Sequence, residues 1–394
     1  MTRIEAVDLF LLQVPDFDPA RDPVKDTLLV RARAGQYEGW GECEAAPFVS
    51  LAAFVTPESH STSRPVCASI IGQPLESPAD IAAITRRVLE DSMNVLQAPH
   101  VYSGVEMALW DLLGRKYEEP VYRLLGYNRA FAKQPYVVIP FAATPEETCD
   151  RMRQTRQAGY RAVKTGWNGF GGGDIASDRA QLAAARDGLG PDGRLFIDAA
   201  RIWRDDATAA NGYGGLLDQF MVEWMEEPFE PAALEAYAEL SRHLGRRRVA
   251  AGENIHSVAQ ARHLLDIGGV GVIQIDCGRV GGIGAARQIA CYADRRGDHY
   301  VNHTYTSHLA LSASLQAYAG LERQDLCEYP MDPSSLSWAI CREHLPVSGD
   351  GTVKLPDAPG LGIAMDLENV QKHLVDMEIV LGGNVLYRTP RIHS

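Results

Sequence analysis

Apolar residues recur along this chain with two different periods. In the N-terminal part, the segments IEAVDLFLLQV, TLLVRARA and YEGWGECEA carry alternating or β-branched apolar residues, and Ala34-Gly35 marks a turn. This pattern predicts strands. Residues 46–78 are rich in Ser, Pro and Thr and read as irregular. PADIAAITRRVLEDSM and SGVEMALWDLLGRKYEE then place apolar residues at helical spacing, with Pro78 near the first start and Ser103 as a cap of the second. Residues 1–128 are expected to form one α+β domain.

From Gln134 short apolar runs alternate with amphipathic helices. The candidate strands are PYVVIPFA, AVKTGW, RLFIDAA, FMVEWMEEP, RVAAGE, VGVIQIDC, YVNHTY and DLCEYP, with helices such as TPEETCDRMRQTRQAG and SVAQARHLLDIGG between them. Eight strands alternating with helices across residues 129–355 predict a closed (β/α)8 TIM-type barrel, with a doubly wound open sheet as the competing arrangement. The last segment, residues 356–394, holds no further β/α unit and is expected to return to the first domain.

Polar residues end successive predicted strands: Asp198, Glu226, Glu253, Asp276, His303 and Glu328. In a barrel these positions converge on the C-terminal rim, where catalytic groups gather. Three carboxylates on adjacent strand ends repel one another unless a cation joins them. Oxygen-only ligands with room for water suit Mg²⁺ better than Zn²⁺, so Asp198, Glu226 and Glu253 are the expected ligands of one Mg²⁺ per subunit.

Bulk properties narrow the partners. The 394 residues carry a formal net charge of −13, which argues against a nucleic-acid or anionic-membrane partner. Seven cysteines without a C-x-x-C pair read as reduced thiols of a cytoplasmic protein. Pro15 and the acidic residues after it break up the N-terminal apolar run, so it does not read as a signal peptide. No stretch approaches the roughly 18 apolar residues of a membrane span.

WMEEPFEP, AGEN at 251–254, FIDAA at 196–200 and AVKTGW at 162–167, taken in order, resemble the enolase superfamily, and within it the mandelate racemase and sugar-acid dehydratase branch. VEMALWDLLGRK with PVYRLLG, and PGLGI at 359–363, extend the resemblance to the capping domain and the tail. It implies a modified barrel with an N-terminal capping domain, and the same three metal ligands. The implied chemistry is removal of the proton α to a carboxylate. That proton is weakly acidic because the substrate is already anionic, and a metal stabilises the developing enolate charge.

The resemblance also implies an Asp276–His303 dyad, in which the carboxylate orients the imidazole and raises its basicity. His308 is the rival and reads better as part of the helix after it. Lys164 is a second candidate base or a partner of the metal-site carboxylates. The racemase-like pattern has a second lysine two residues on, where this chain has Gly166. On a strand these two positions share a face, so Gly166 is expected to leave space there. Glu328 is expected to hydrogen-bond a substrate carboxylate in its protonated form. Arg201, Asn302 and Arg64 are candidate substrate contacts, Arg64 on a capping loop near residues 45–65 and paired with a second loop near 16–25.

These features predict a dehydratase acting on a small-molecule carboxylate, a sugar acid, with His303 as base. A racemase, epimerase or cycloisomerase is the alternative, and a non-catalytic metal-dependent binding protein is the third reading. Homo-oligomers are common in the superfamily, and one is expected here.

Overall fold

The computed structural model describes residues 2–15, 17, 24–44, 46–167, 169–331 and 334–392. The N-terminal pattern forms an antiparallel sheet of β1 (Ala6–Gln13), β2 (Asp26–Ala34) and β3 (Tyr37–Cys43), in that spatial order. Three helices follow: α1 (Pro47–Val55), α2 (Pro78–Asp91) and α3 (Ala98–Tyr117). The segment expected to be irregular therefore contains a helix. Pro47 sits in the first turn of α1, where its missing N–H costs nothing, and Leu51, Ala53 and Phe54 are buried. A Ser77/Asp80 capping box starts α2. Ser103 is not a cap, because α3 begins at Ala98. Its hydroxyl lies inside the helix, donating to Pro99 O at 2.7 Å and accepting from Gly281 N at 2.8 Å.

The eight expected barrel strands all form. They are β4 (Gln134–Val138), β5 (Ala162–Thr165), β6 (Arg194–Asp198), β7 (Val222–Glu226), β8 (Val249–Ala251), β9 (Val272–Asp276), β10 (His299–His303) and β11 (Leu326–Glu328). The parallel order is β10-β9-β8-β7-β6-β5-β4-β11. Pairing of β11 with β4 brings the last strand back to the first, which rules out the doubly wound sheet. Side chains bridge the seam between β10 and β11. Asn302 Nδ2 donates to Glu328 O at 2.9 Å, and Tyr318 Oη reaches Asn302 Oδ1 at 2.7 Å and Leu326 O at 2.9 Å.

Tyr136, Ala162, Phe196, Trp224, Ala250, Val272, Val301 and Leu326 form a buried cluster with one residue from each strand. Phe196 and Trp224 stack with ring centroids 3.7 Å apart. Because side chains alternate, the residues two positions further along face the same interior. Those residues include Lys164, Asp198, Glu226, Gln274, His303 and Glu328. The cluster is the floor on which the polar groups stand.

The capping sheet and α3 dock on the loops that follow β9 and β10. Glu106 accepts from Ile283 N at 2.7 Å and Gly284 N at 2.9 Å, and Ser307 Oγ donates to Glu42. The C-terminal segment forms a hairpin of β12 (Glu378–Leu381) and β13 (Asn384–Arg388). It reaches the first sheet through Val375 N to Leu11 O (2.9 Å), Tyr387 Oη to Leu9 O (2.7 Å) and Arg31 Nη1 to Ile392 O (2.7 Å). All seven cysteines are free. Among the described residues no helix is long and apolar enough to cross a membrane.

Candidate active site

Asp198 ends β6 and Glu226 ends β7, and the two are register partners. Glu253 follows β8 by two residues. Asp198 and Glu226 are buried, and Glu253 keeps a little exposure. Burial pushes the Asp198 and Glu226 carboxyls above the ordinary carboxylate range despite Lys164 beside them. Among the described residues no three acidic, histidine or cysteine side chains converge at the spacing of a ready-made metal site. As placed, Glu226 turns to Lys164 at 2.6 Å and Glu253 to His303 Nε2 at 3.2 Å. The donor set nevertheless fits a hard divalent cation in its chemistry: oxygen donors only, on adjacent strand ends, with more buried negative charge than Lys164 alone balances.

Lys164 is held inside the barrel. Its Nζ donates to Glu226 Oε1 at 2.6 Å and to Glu328 Oε2 at 2.8 Å, with Asp198 Oδ2 at 3.9 Å. Burial alone would lower its pKa, but Glu226 and Glu328 drive it well above the ordinary lysine value. It stands as an ammonium ion. Tyr136 Oη donates to Glu328 Oε2 at 2.7 Å, and Gln274 Nε2 donates to Glu226 Oε2. Burial works to raise the Glu328 carboxyl, yet Lys164 and His303 bring it below its usual value. The structure thus surrounds Glu328 with donors suited to the carboxylate rather than to the protonated acid expected from the sequence.

His303 Nδ1 donates to Asp276 Oδ2 at 2.7 Å, and Asp276 Oδ1 accepts from Gly278 N at 2.7 Å. The two residues end neighbouring strands in register. Nδ1 therefore carries a proton, and Nε2 is the ring atom turned towards Glu253 and, at 3.8 Å, Glu328. Burial would lower the imidazole pKa, but Glu253, Glu328 and Asp276 lift it to about 10.

The remaining candidates are not drawn together. Arg201 pairs with Glu227, the second acid of the E-E-P run, at 2.9 Å, and Asn254 Nδ2 donates to the same carboxylate. Arg64 pairs with Glu58 at 3.3 Å and Asp91 at 3.6 Å, both in its own domain. Asn302 follows inward-facing Val301 by one position, so alternation turns it to the barrel wall, where it bonds Glu328 O rather than facing the mouth. His308 starts a helix, accepts from Leu345 N at 2.9 Å and packs on Tyr329 and Trp338, as a structural histidine does. Asp16, Asp18, Arg21 and Asp22 lie outside the described residues.

The space expected at Gly166 is absent. Gly166 has φ +102°, and a Cβ there would meet Asp198 O at 2.9 Å and Phe170 Cβ at 3.1 Å. Backbone and packing together disfavour a lysine at that position. Sequence reasoning also missed a cluster beside the dyad, made of Glu44, Arg279 and Tyr305. Arg279 Nη2 donates to Glu44 Oε1 at 2.9 Å, and Tyr305 Oη donates to the same oxygen. Arg279, three residues after Asp276, carried a positional signal; Glu44, in the other domain, carried none.

Residues 25–126 match the mandelate racemase/muconate lactonizing enzyme N-terminal domain, and residues 147–370 match the enolase C-terminal domain-like family. The chain is 30% identical over 340 residues to a D-galactarolactone cycloisomerase of Agrobacterium fabrum, covering 83% of this chain and 85% of the relative. It is 26% identical over 381 residues to an L-talarate/galactarate dehydratase of Salmonella typhimurium, covering 92% and 89% of the two chains. The crystal structure of a predicted mandelate racemase from Rhodobacter sphaeroides superposes with a TM-score of 0.96 at 49% identity, covering 99% of this chain and 100% of that one. With both domains matched and the barrel in place, the chain belongs to the mandelate racemase/muconate lactonizing enzyme family of the enolase superfamily.

Proposed function

We propose that this protein is a Mg²⁺-dependent lyase that removes the proton α to the carboxylate of a sugar acid and expels the β-oxygen, giving a 2-keto-3-deoxy acid. The observation that carries the reading is a single buried base. His303 is oriented by Asp276 at 2.7 Å, while the position of a second lysine is closed at Gly166. Racemisation needs a proton donor on each face of the planar intermediate, and a β-elimination can use one residue twice.

Asp198, Glu226 and Glu253 would hold the metal. When bound, it supplies a Lewis acid that stabilises negative charge developing on the substrate carboxylate. Glu253, the charge that does most to keep the imidazole protonated, would be engaged by the cation; the neutral His303 Nε2 then takes the α-proton as the Cα–H bond breaks. The electron pair forms the Cα–Cβ double bond, the Cβ–O bond breaks, and His303 returns its proton to the departing hydroxide as water. The enol then becomes the ketone. Asp276 keeps the imidazole in one tautomer throughout. Lys164 acts by balancing buried carboxylates rather than by accepting a proton, since its Nζ is committed to hydrogen bonds with Glu226 and Glu328.

A second reading is cycloisomerisation of a sugar-acid lactone, in which the expelled β-oxygen is the ring carboxylate. It is favoured by the cycloisomerase relative at 30% identity over 83% of this chain. A panel of mono- and diacid sugars and their lactones, incubated with enzyme and Mg²⁺ and read for 2-keto acids, tests both. A product lighter than its substrate by one water supports dehydration, and one of equal mass supports cycloisomerisation. Turnover by His303→Asn at the wild-type rate would defeat the mechanism.

A further inference from the structure

Besides Lys164 and His303, Arg279 on the loop after β9 brings a positive charge to the proposed metal ligands. Its Nη1 donates to Glu253 O at 3.1 Å, and its guanidinium lies 3.6 Å from Glu253 Oε1 and 3.8 Å from Asp276 Oδ2. A guanidinium at that range can compete with a divalent cation for Glu253 and with His303 for Asp276. It hydrogen-bonds neither carboxylate, because its fork is turned onto Glu44. Arg279 Nε and Nη2 both bond the Glu44 carboxylate. Tyr305 Oη donates to the same carboxylate, while the Tyr305 ring stands edge-on to His303 with centroids 5.3 Å apart.

Glu44 comes from the capping domain, just beyond β3, and its side chain is only 6% exposed. It enters because residue 278 is glycine: a Cβ there would lie 2.7 Å from Glu44 Cβ and 3.1 Å from Asp276 Oδ1. The arrangement is a bidentate, nearly dry ion pair between domains, the geometry in which an arginine's charge is most firmly directed.

We propose that Glu44 is a positioning residue of the metal site, holding the Arg279 guanidinium out of hydrogen-bonding contact with the Glu253 and Asp276 carboxylates. The proposal rests on the metal reading above. Without the Glu44 carboxylate, Arg279 is free to close from 3.6 Å onto the Glu253 carboxylate and weaken divalent-cation binding.

The test is Mn²⁺ affinity of the purified full-length protein, measured by calorimetry and by electron paramagnetic resonance, with no substrate present. Asp198→Asn serves as the control for the site. Glu44→Gln is expected to weaken Mn²⁺ binding by about tenfold or more, the usual scale for groups that orient ligands. The double variant Glu44→Gln/Arg279→Gln is expected to return towards wild-type affinity, which a merely structural role would not produce. Unchanged affinity in Glu44→Gln, or a double variant no tighter than the single, overturns the proposal. If Glu44→Gln does not fold, Arg279→Gln alone decides: binding at least as tight as wild type supports the proposal, and a loss of tenfold or more overturns it. Wild-type protein that binds no Mn²⁺ overturns the metal reading and this inference together.

Discussion

His303 and Asp276 face each other across neighbouring strands, and Nδ1 of the one lies 2.7 Å from Oδ2 of the other. The register of β9 against β10 sets the two residues side by side, so the orientation of the proposed base is a property of the barrel itself. Substituting Asp276→Asn keeps the shape but frees the ring to adopt the wrong tautomer. The expected result is a fall in turnover of the order of 10²–10⁴, the range of general-base contributions, with thermal stability little changed. A rate within a factor of about two of wild type would show that Asp276 does not orient the base.

Lys164 is bonded to two buried carboxylates at 2.6 and 2.8 Å. Removing one partner of such a cluster leaves uncompensated buried charge, a loss of about 3–5 kcal/mol. Lys164→Met is therefore expected to lower the unfolding free energy by that order, measured by urea denaturation, and Mg²⁺ is expected to recover part of the loss.

At Gly166 the barrel resists a second base. Gly166→Lys must adopt φ near +102° and push against Asp198 O and Phe170. It is expected to destabilise the protein by about 1–3 kcal/mol and to gain no epimerase activity. Appearance of the α-epimer from a turned-over substrate would contradict this.

Asn302 joins β10 to the end of β11 and meets Tyr318. Asn302→Ala leaves buried polar groups without partners and is expected to cost about 1–3 kcal/mol of stability. KM for any identified substrate should stay unchanged. A raised KM with unchanged stability would restore Asn302 as a substrate contact.

Burial raises the Glu106 carboxyl to about 7. A carboxyl whose folded pKa lies above its unfolded value favours folding when protonated. Its contribution is full below the ordinary carboxylate pKa and is lost as pH rises through about 7. Glu106→Gln, neutral at every pH, should flatten that fall, seen as a smaller drop in denaturant midpoint between pH about 5 and about 8. Parallel pH dependences in the two proteins would count against it.

The eight strands and the strand-end acids were legible because both follow simple periods: two along a strand and one polar end per β/α unit. The same alternation, applied one residue further, excludes Asn302 from the mouth once Val301 is known to face inward. What sequence could not supply were contacts made by chance of packing. Glu44 and Arg279 are separated by 235 positions, and no local pattern joins them. The filling of the space beside Gly166 depends on Phe170 folding back over it, a loop geometry without a sequence period. The α1 helix was hidden by the Ser- and Pro-rich composition around it.

Elimination by a single base, His303, leaves a distinctive isotope pattern. Turnover of an identified sugar acid with Mg²⁺ in D₂O, followed by nuclear magnetic resonance and mass spectrometry, tests it most directly. The expected outcome is a 2-keto-3-deoxy acid carrying solvent deuterium at the deoxy carbon, no α-epimer of the substrate, and loss of both product and exchange in His303→Asn. Deuterated α-epimer accumulating without keto acid would contradict it.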